Sequence, residues 1–179
     1  QVVAAESWIE HVELDDGGHA LRWLHEPVEG KRGGWLDFPC VPTSVRAFHA
    51  VRFRARCVGA WNGRVDVRFS SRGGYIGSPL PAVGPTWATY ELTLAAMKGR
   101  RAFDPDAVDF LRLVCWGTTG FELELDDIEL LRGEGGWGRT EGQTVAASTQ
   151  NPDTPCWVVA DFDGEEPMAR LAAARGALA

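Results

Sequence analysis

A chain of 179 residues, 45% hydrophobic and 24% charged, is long and apolar enough to bury one ordinary core, which excludes an intrinsically disordered segment. Lys plus Arg number 18 and Asp plus Glu 25, so the formal charge is −7, the wrong sign for a globally basic nucleic-acid binder. No run approaches the roughly 18 apolar residues of a membrane-spanning helix, and no charged segment leading into an apolar run opens the chain, so no secretory signal is expected within it.

In chain order the dominant period is two. Residues 8–14, 20–25 and 35–38 read as short strands. Val51-Arg52-Phe53-Arg54-Ala55-Arg56-Cys57 then alternates apolar and cationic residues, and Val65-Asp66-Val67-Arg68-Phe69 repeats the pattern. Residues 88–94 are a further candidate, followed by Leu111-Arg112-Leu113-Val114-Cys115-Trp116 and Phe121-Glu122-Leu123-Glu124-Leu125. Such runs are half-buried strands, one face to a core and one to water. Turn clusters at 15–18, 30–34, 59–63, 70–74 and 117–120 separate them. Helical signal is confined to one turn at 105–109 and to 167–179, where Pro167 fits a first helical position. Residues 133–155, rich in Gly, Thr, Ser and Pro, read as a linker or long loop. A further strand is expected from Cys156 onward. Many short strands with Gly-rich turns indicate an all-β antiparallel sandwich.

Tryptophan is abundant, 8 residues against 2 Tyr, which supplies more large flat rings than a core of this size needs. If Phe53, Ala55 and Cys57 face the core, Arg52, Arg54 and Arg56 face out. The same parity turns out Asp66 and Arg68, and Arg112, Val114 and Trp116. These residues make a cationic stripe with Trp116 at its edge, so Trp116, Arg54, Arg68 and Arg112 are the first candidate contacts. Trp35 and Trp61, beside Gly-rich turns, and Tyr75 are the second set. The competing reading is a solvated sheet face whose arginines are paired with Glu122 and Glu124. Trp8, Trp23 and Trp87 are assigned to packing. Cys40, Cys57, Cys115 and Cys156 are scattered without a Cys-x-x-Cys pair, so a zinc site is not indicated, and disulfides or buried thiols both fit. Cys57 and Cys115 both point inward in this register. His11, His19, His25 and His49 have no nucleophile partner by motif, and no Gly-x-Ser-x-Gly elbow, P-loop or His-Glu-x-x-His is present.

The run Phe121-Glu122-Leu123-Glu124-Leu125-Asp126-Asp127-Ile128-Glu129-Leu130-Leu131, preceded by Trp87-Ala88-Thr89-Tyr90 and the apolar strand at 110–115, resembles the noncatalytic carbohydrate-binding modules with a galactose-binding-like β-sandwich (jelly-roll) fold. The resemblance covers roughly residues 8–132 and takes 1–132 as the module. It departs in one place. The opening Asp-Phe-Glu-like strand is missing before Ser7, and Ala160-Asp161-Phe162-Asp163-Gly164 sits at the far end instead. Residues 156–179 are then either a returning strand of the same sandwich or the start of a following module.

The resemblance implies glycan binding by an accessory module of a secreted polysaccharide-degrading enzyme. Trp would stack on sugar rings, and Arg would bond hydroxyls or the acid groups of an anionic glycan. It implies a polysaccharide or oligosaccharide partner, other modules in the same polypeptide, an extracellular location, and neither a nucleic-acid partner nor an organic cofactor. It also implies a structural Ca²⁺ held by Asp127 or Asp126, with Asp161 or Asp163 joining if the late strand completes the fold. The alternatives are a structural or protein-interaction sandwich without a sugar site, and a small polysaccharide lyase or glycoside hydrolase.

Overall fold

The structure is a computed structural model that describes residues 6–26, 34–39, 41, 44–59, 64–99, 102–116, 120–133 and 156–160. In these the alternating runs form β1 (Glu6–Glu13), β2 (His19–Glu26), β3 (Gly34–Phe38), β4 (Phe48–Val58), β5 (Arg64–Ser71), β6 (Gly74–Pro79), β7 (Ala88–Thr93), β8 (Lys98–Gly99), β9 (Val108–Trp116), β10 (Phe121–Arg132) and β11 (Cys156–Ala160). A single 3₁₀ turn, Leu94–Ala96, follows β7. Of residues 105–109, the first three form a turn and the last two already belong to β9, while 167–179 lie outside the described residues.

The strands build two antiparallel sheets. One runs β1-β2-β10-β4-β7, with β11 also pairing with β10, and the other runs β3-β9-β5-β6-β8. Their apolar faces meet in one core. Leu21 and Trp23 of β2, Phe53 and Cys57 of β4, and Leu123 and Leu125 of β10 come from the first sheet. Phe38 of β3, Val67 and Phe69 of β5, and Leu111 and Leu113 of β9 come from the second. Trp23 meets Phe121 edge to face with centroids 4.9 Å apart. Burying each such side chain contributes about 2 kcal/mol.

β10 is the central strand of the first sheet. Up to Leu125 it pairs with β2 on one side and β4 on the other. At the Asp126–Asp127 step it bulges, so that three residues of β10 span two of β4, between Asp126 opposite Arg54 and Glu129 opposite Arg52. Asp127 takes the left-handed conformation, φ 50°, that Asp tolerates better than most residues. The extra residue restores Ile128 and Leu130 to the core side. Beyond the bulge β11 takes the place of β2 beside β10, with Ala160 opposite Ile128 and Cys156 opposite Leu131.

Two expectations need correction. The single cationic stripe does not exist, because β4 belongs to the first sheet and β5 and β9 to the second. Arg54 therefore lies on the opposite outer face from Arg68, Arg112 and Trp116. Trp87 is not in the core. It is half-buried, with the Arg54 and Arg56 guanidinium carbons 5.2 and 5.1 Å from its ring centroid. Trp23 is buried as expected, and Cys57 and Cys115 are buried free thiols.

Candidate functional site

Chemistry that faces outward separates cleanly between the two sheets. On the first, one row reads Glu10, Arg22, Glu124, Arg56 across β1, β2, β10 and β4. Glu124 is fully buried, yet one of its oxygens accepts from Arg22 at 2.7 and 3.0 Å and the other from Arg56 at 2.5 Å. Arg22 also lies 2.9 Å from Glu122, and hydrogen bonding to Glu124 holds its guanidinium above the usual arginine range. Arg52 pairs with Glu129 at 2.7 Å and Arg54 with Asp126 at 3.2 Å. On this sheet the reading of arginines paired to Glu122 and Glu124 is the correct one. It is a face of closed ion pairs.

The outer face of the second sheet is different. In register across the strands, Asp37, Arg112, Arg68, Gly77 and Lys98 form one row. Trp35, Val114, Asp66 and Pro79 form the next, with Trp116 opposite Arg64 beyond it. On the other side Phe110, Ser70 and Tyr75 stand in line. Trp35 and Trp116 are 36% and 40% exposed, and with Val58 they are the large apolar side chains that the described surface leaves open. Both are on this face. From β3 to β6 the strands span about 14 Å, wide enough for several sugar rings.

Each arginine of the central row stands between two rings and is paired with a carboxylate. The Arg68 guanidinium carbon is 4.5 Å from the Tyr75 centroid and 5.3 Å from that of Trp116. Its Nη2 donates to Asp66 at 2.9 Å. Arg112 is 4.6 Å from the Phe110 centroid and 5.4 Å from Trp35, and it donates twice to Asp37, at 2.5 and 2.6 Å. Such stacking orders both partners. Arg68 reaches Tyr75 across Gly77, where a Cβ would lie 2.7 Å from Arg68 Cγ and 2.7 Å from the carbonyl oxygen of Val67. The indole N–H of Trp116 donates to Asp66 Oδ2 at 2.9 Å.

The structure thus brings together Trp35, Trp116, Arg68, Arg112 and Tyr75 and separates Arg54 from them. Trp61 lies outside the described residues. The residues that sequence reasoning missed are Asp37, Phe110 and Gly77, and Asp66 was given an outward direction but no role. The signal for both carboxylates was present as an acid at an outward position, in Asp37 on an otherwise apolar strand and in Asp66 two residues from Arg68.

At the bulge, Asp126 Oδ1 accepts the backbone N–H of Asp127 at 2.8 Å, and the Asp127 carboxylate is 3.7 Å from Arg54 Nη1. A guanidinium therefore already faces Asp126. Among the described residues no group of three or more His, Cys, Asp or Glu side chains is placed to hold a metal ion. Asp161 and Asp163 lie outside the described residues.

No family model matches this chain, and no curated protein matches it. Solved structures share its fold. The family 11 carbohydrate-binding module of the cellulosomal cellulase Lic26A-Cel5E of Clostridium thermocellum superposes with a TM-score of 0.59 at 13% identity, covering 74% of this chain and 85% of that one. The family 11 module from Clostridium thermocellum in complex with a β-1,3-1,4-mixed-linked tetrasaccharide gives 0.58 at 15% identity, with 72% and 84% covered. The family 30 module of the cellulosomal cellulase Cel9D-Cel44B of the same organism gives 0.53 at 13% identity, with 75% and 86% covered. The chain has the β-sandwich fold of these modules.

Proposed function

We propose that the outer face of the β3-β9-β5-β6-β8 sheet binds a polysaccharide chain and breaks no bond in it. The observation that carries this reading is the pair of exposed tryptophans, Trp35 and Trp116, on one face whose other polar groups are held in place. An indole face offers an apolar plane to the axial C–H groups of a pyranose, and the polar rim offers hydroxyl partners. The fold shared with carbohydrate-binding modules, one of them bound to a tetrasaccharide, supports the same reading. Asp37 and Asp66 are each hydrogen-bonded to an arginine, which fits a rigid binding face.

The ligand in this reading is an uncharged glycan. Arg68 and Arg112 would suit a uronate or sulfate only if their charge were open, and Arg112 is paired with Asp37 while Arg68 shares Asp66 with Arg64. The module would act in an extracellular polysaccharide-degrading protein by raising the local concentration of a catalytic partner on its substrate.

The calcium reading is a proposal for the Asp127 end of the bulge. Its support is the register of β11, which sets Ala160 opposite Ile128, with Asp161 next in sequence. A chelator then lowers the melting temperature, and the absence of a shift at any calcium concentration removes the metal.

Calorimetric titration with neutral and with uronate-containing oligosaccharides, at low and high salt, tests the glycan reading. Binding of the neutral set with little salt dependence is the expected result. Binding of the anionic set alone, weakened by salt, would overturn the uncharged-ligand reading, and no binding by either set would overturn the function.

A further inference from the structure

The second sheet presents its most exposed ring, Trp116, beside one of its most buried carboxylates. Trp116 is 40% exposed, whereas Asp66 is 6% exposed. Asp66 lies opposite Val114, one outward step along β9 from Trp116, so the indole N–H reaches back diagonally to it. A single oxygen, Oδ2, accepts from Trp116 Nε1 at 2.9 Å, from Arg68 Nη2 at 2.9 Å and from Arg64 Nη2 at 3.3 Å. The other oxygen, Oδ1, is buried and has no hydrogen-bond partner among the described residues, although Arg64 Nε stands 3.2 Å away off axis.

We infer that Asp66 is a positioning residue that sets the plane of the Trp116 ring before any ligand arrives. A surface tryptophan is otherwise free about two side-chain bonds, and ordering it on binding weakens affinity. Here the indole N–H can only donate and the carboxylate can only accept. Arg68, stacked between Trp116 and Tyr75 and held by the same oxygen, closes the ring in from one side. The three residues form one unit, in which the arginine supports the platform and is not itself the contact for the ligand.

The division of labour between the two oxygens makes the inference specific. An asparagine at 66 can keep its oxygen at the Oδ2 position and put its amide nitrogen at Oδ1, from which the exposed Arg64 side chain, now 3.2 Å away, can swing out to water. The hydrogen bonds from Trp116 and Arg68 then survive without the charge. Alanine loses them all.

The effect on affinity rests on the glycan-binding reading, but the order of the ring does not, and the experiment reads both. In ¹⁵N-labelled protein the Trp116 indole N–H resonance is identified by its disappearance in Trp116→Phe. In the wild type its proton is expected to exchange far more slowly than in the unfolded chain. Asp66→Asn is expected to keep that protection and to bind a neutral oligosaccharide within about twofold of the wild type. Asp66→Ala is expected to show a mobile, fast-exchanging indole and about tenfold weaker binding, with the buried Trp23 resonance unchanged. An unprotected Trp116 indole in the wild type overturns the inference, as does an Asp66→Asn protein with a mobile ring, and neither result needs Asp66→Ala to fold. If the indole results hold and no oligosaccharide binds, the glycan reading fails and the role of Asp66 stands.

Discussion

His25 stacks on Phe121 at 5.0 Å and is 3% exposed, and burial lowers its pKa below the usual imidazole value. Protonation therefore favours the unfolded chain. The stability that neutral His25 contributes is complete above the unfolded pKa of about 6.5 and falls as pH drops through the lower folded value. Melting temperatures are expected to decline below about pH 6.5, and His25→Phe should flatten that slope. Cys115 works in the other direction. Its thiol donates to the Gly34 carbonyl at 3.3 Å, and burial pushes it up to about 12. It should resist a thiol reagent at pH 8 in the native state and react once unfolded. At the proposed site, Trp35→Ala and Trp116→Ala each remove an exposed ring, so each should weaken glycan binding about tenfold or more while moving the melting temperature by little. What separates these tryptophans from Trp23 could be read only in part from the chain. All three sit on strands, and exposure is decided by which face each one takes.

Among the strands, β10 joins the most neighbours, pairing with β2, β4 and β11. Its alternation was legible, since a period of two with one apolar face admits only one inside-out assignment. The bulge was legible only as two adjacent carboxylates, because nothing local announces that Arg54 comes across from β4 to face them. Parity gives the direction relative to a core but not which of two sheets a strand joins. β4 and β5 are consecutive in sequence and lie in different sheets, so an arginine stripe drawn from parity alone fused two faces. Beyond Gly74, β6 has no assignment from the sequence because Gly77, Ser78 and Pro79 mask its pattern, yet Gly77 is what lets Arg68 lie across it. Gly77→Ala places a Cβ against backbone as well as side chain and should destabilise by about 1–3 kcal/mol. Removing both Arg22 and Arg56 leaves Glu124 buried without a guanidinium. That double alanine variant should lose about 3 kcal/mol, the low end for a broken buried pair, because both arginines are about a third exposed.

At the scale of the molecule, the two outer faces have opposite characters made from similar residues. The first sheet closes its charges against one another around Glu124 and Asp126. The second uses fewer charges, stacks Arg68 and Arg112 on rings, and leaves two tryptophans open. In a chain with a net charge of −7, the proposed binding face is thus the one with open rings, and the other outer face is closed by ion pairs. If glycan binds on the second sheet alone, a neutral β-glucan oligosaccharide titrated into ¹⁵N-labelled protein, with the tryptophan indole resonances followed throughout, should shift Trp35 and Trp116 together with a common dissociation constant while Trp23 and Trp87 stay in place. A shift at Trp87 with Trp35 and Trp116 unmoved would contradict binding on that sheet.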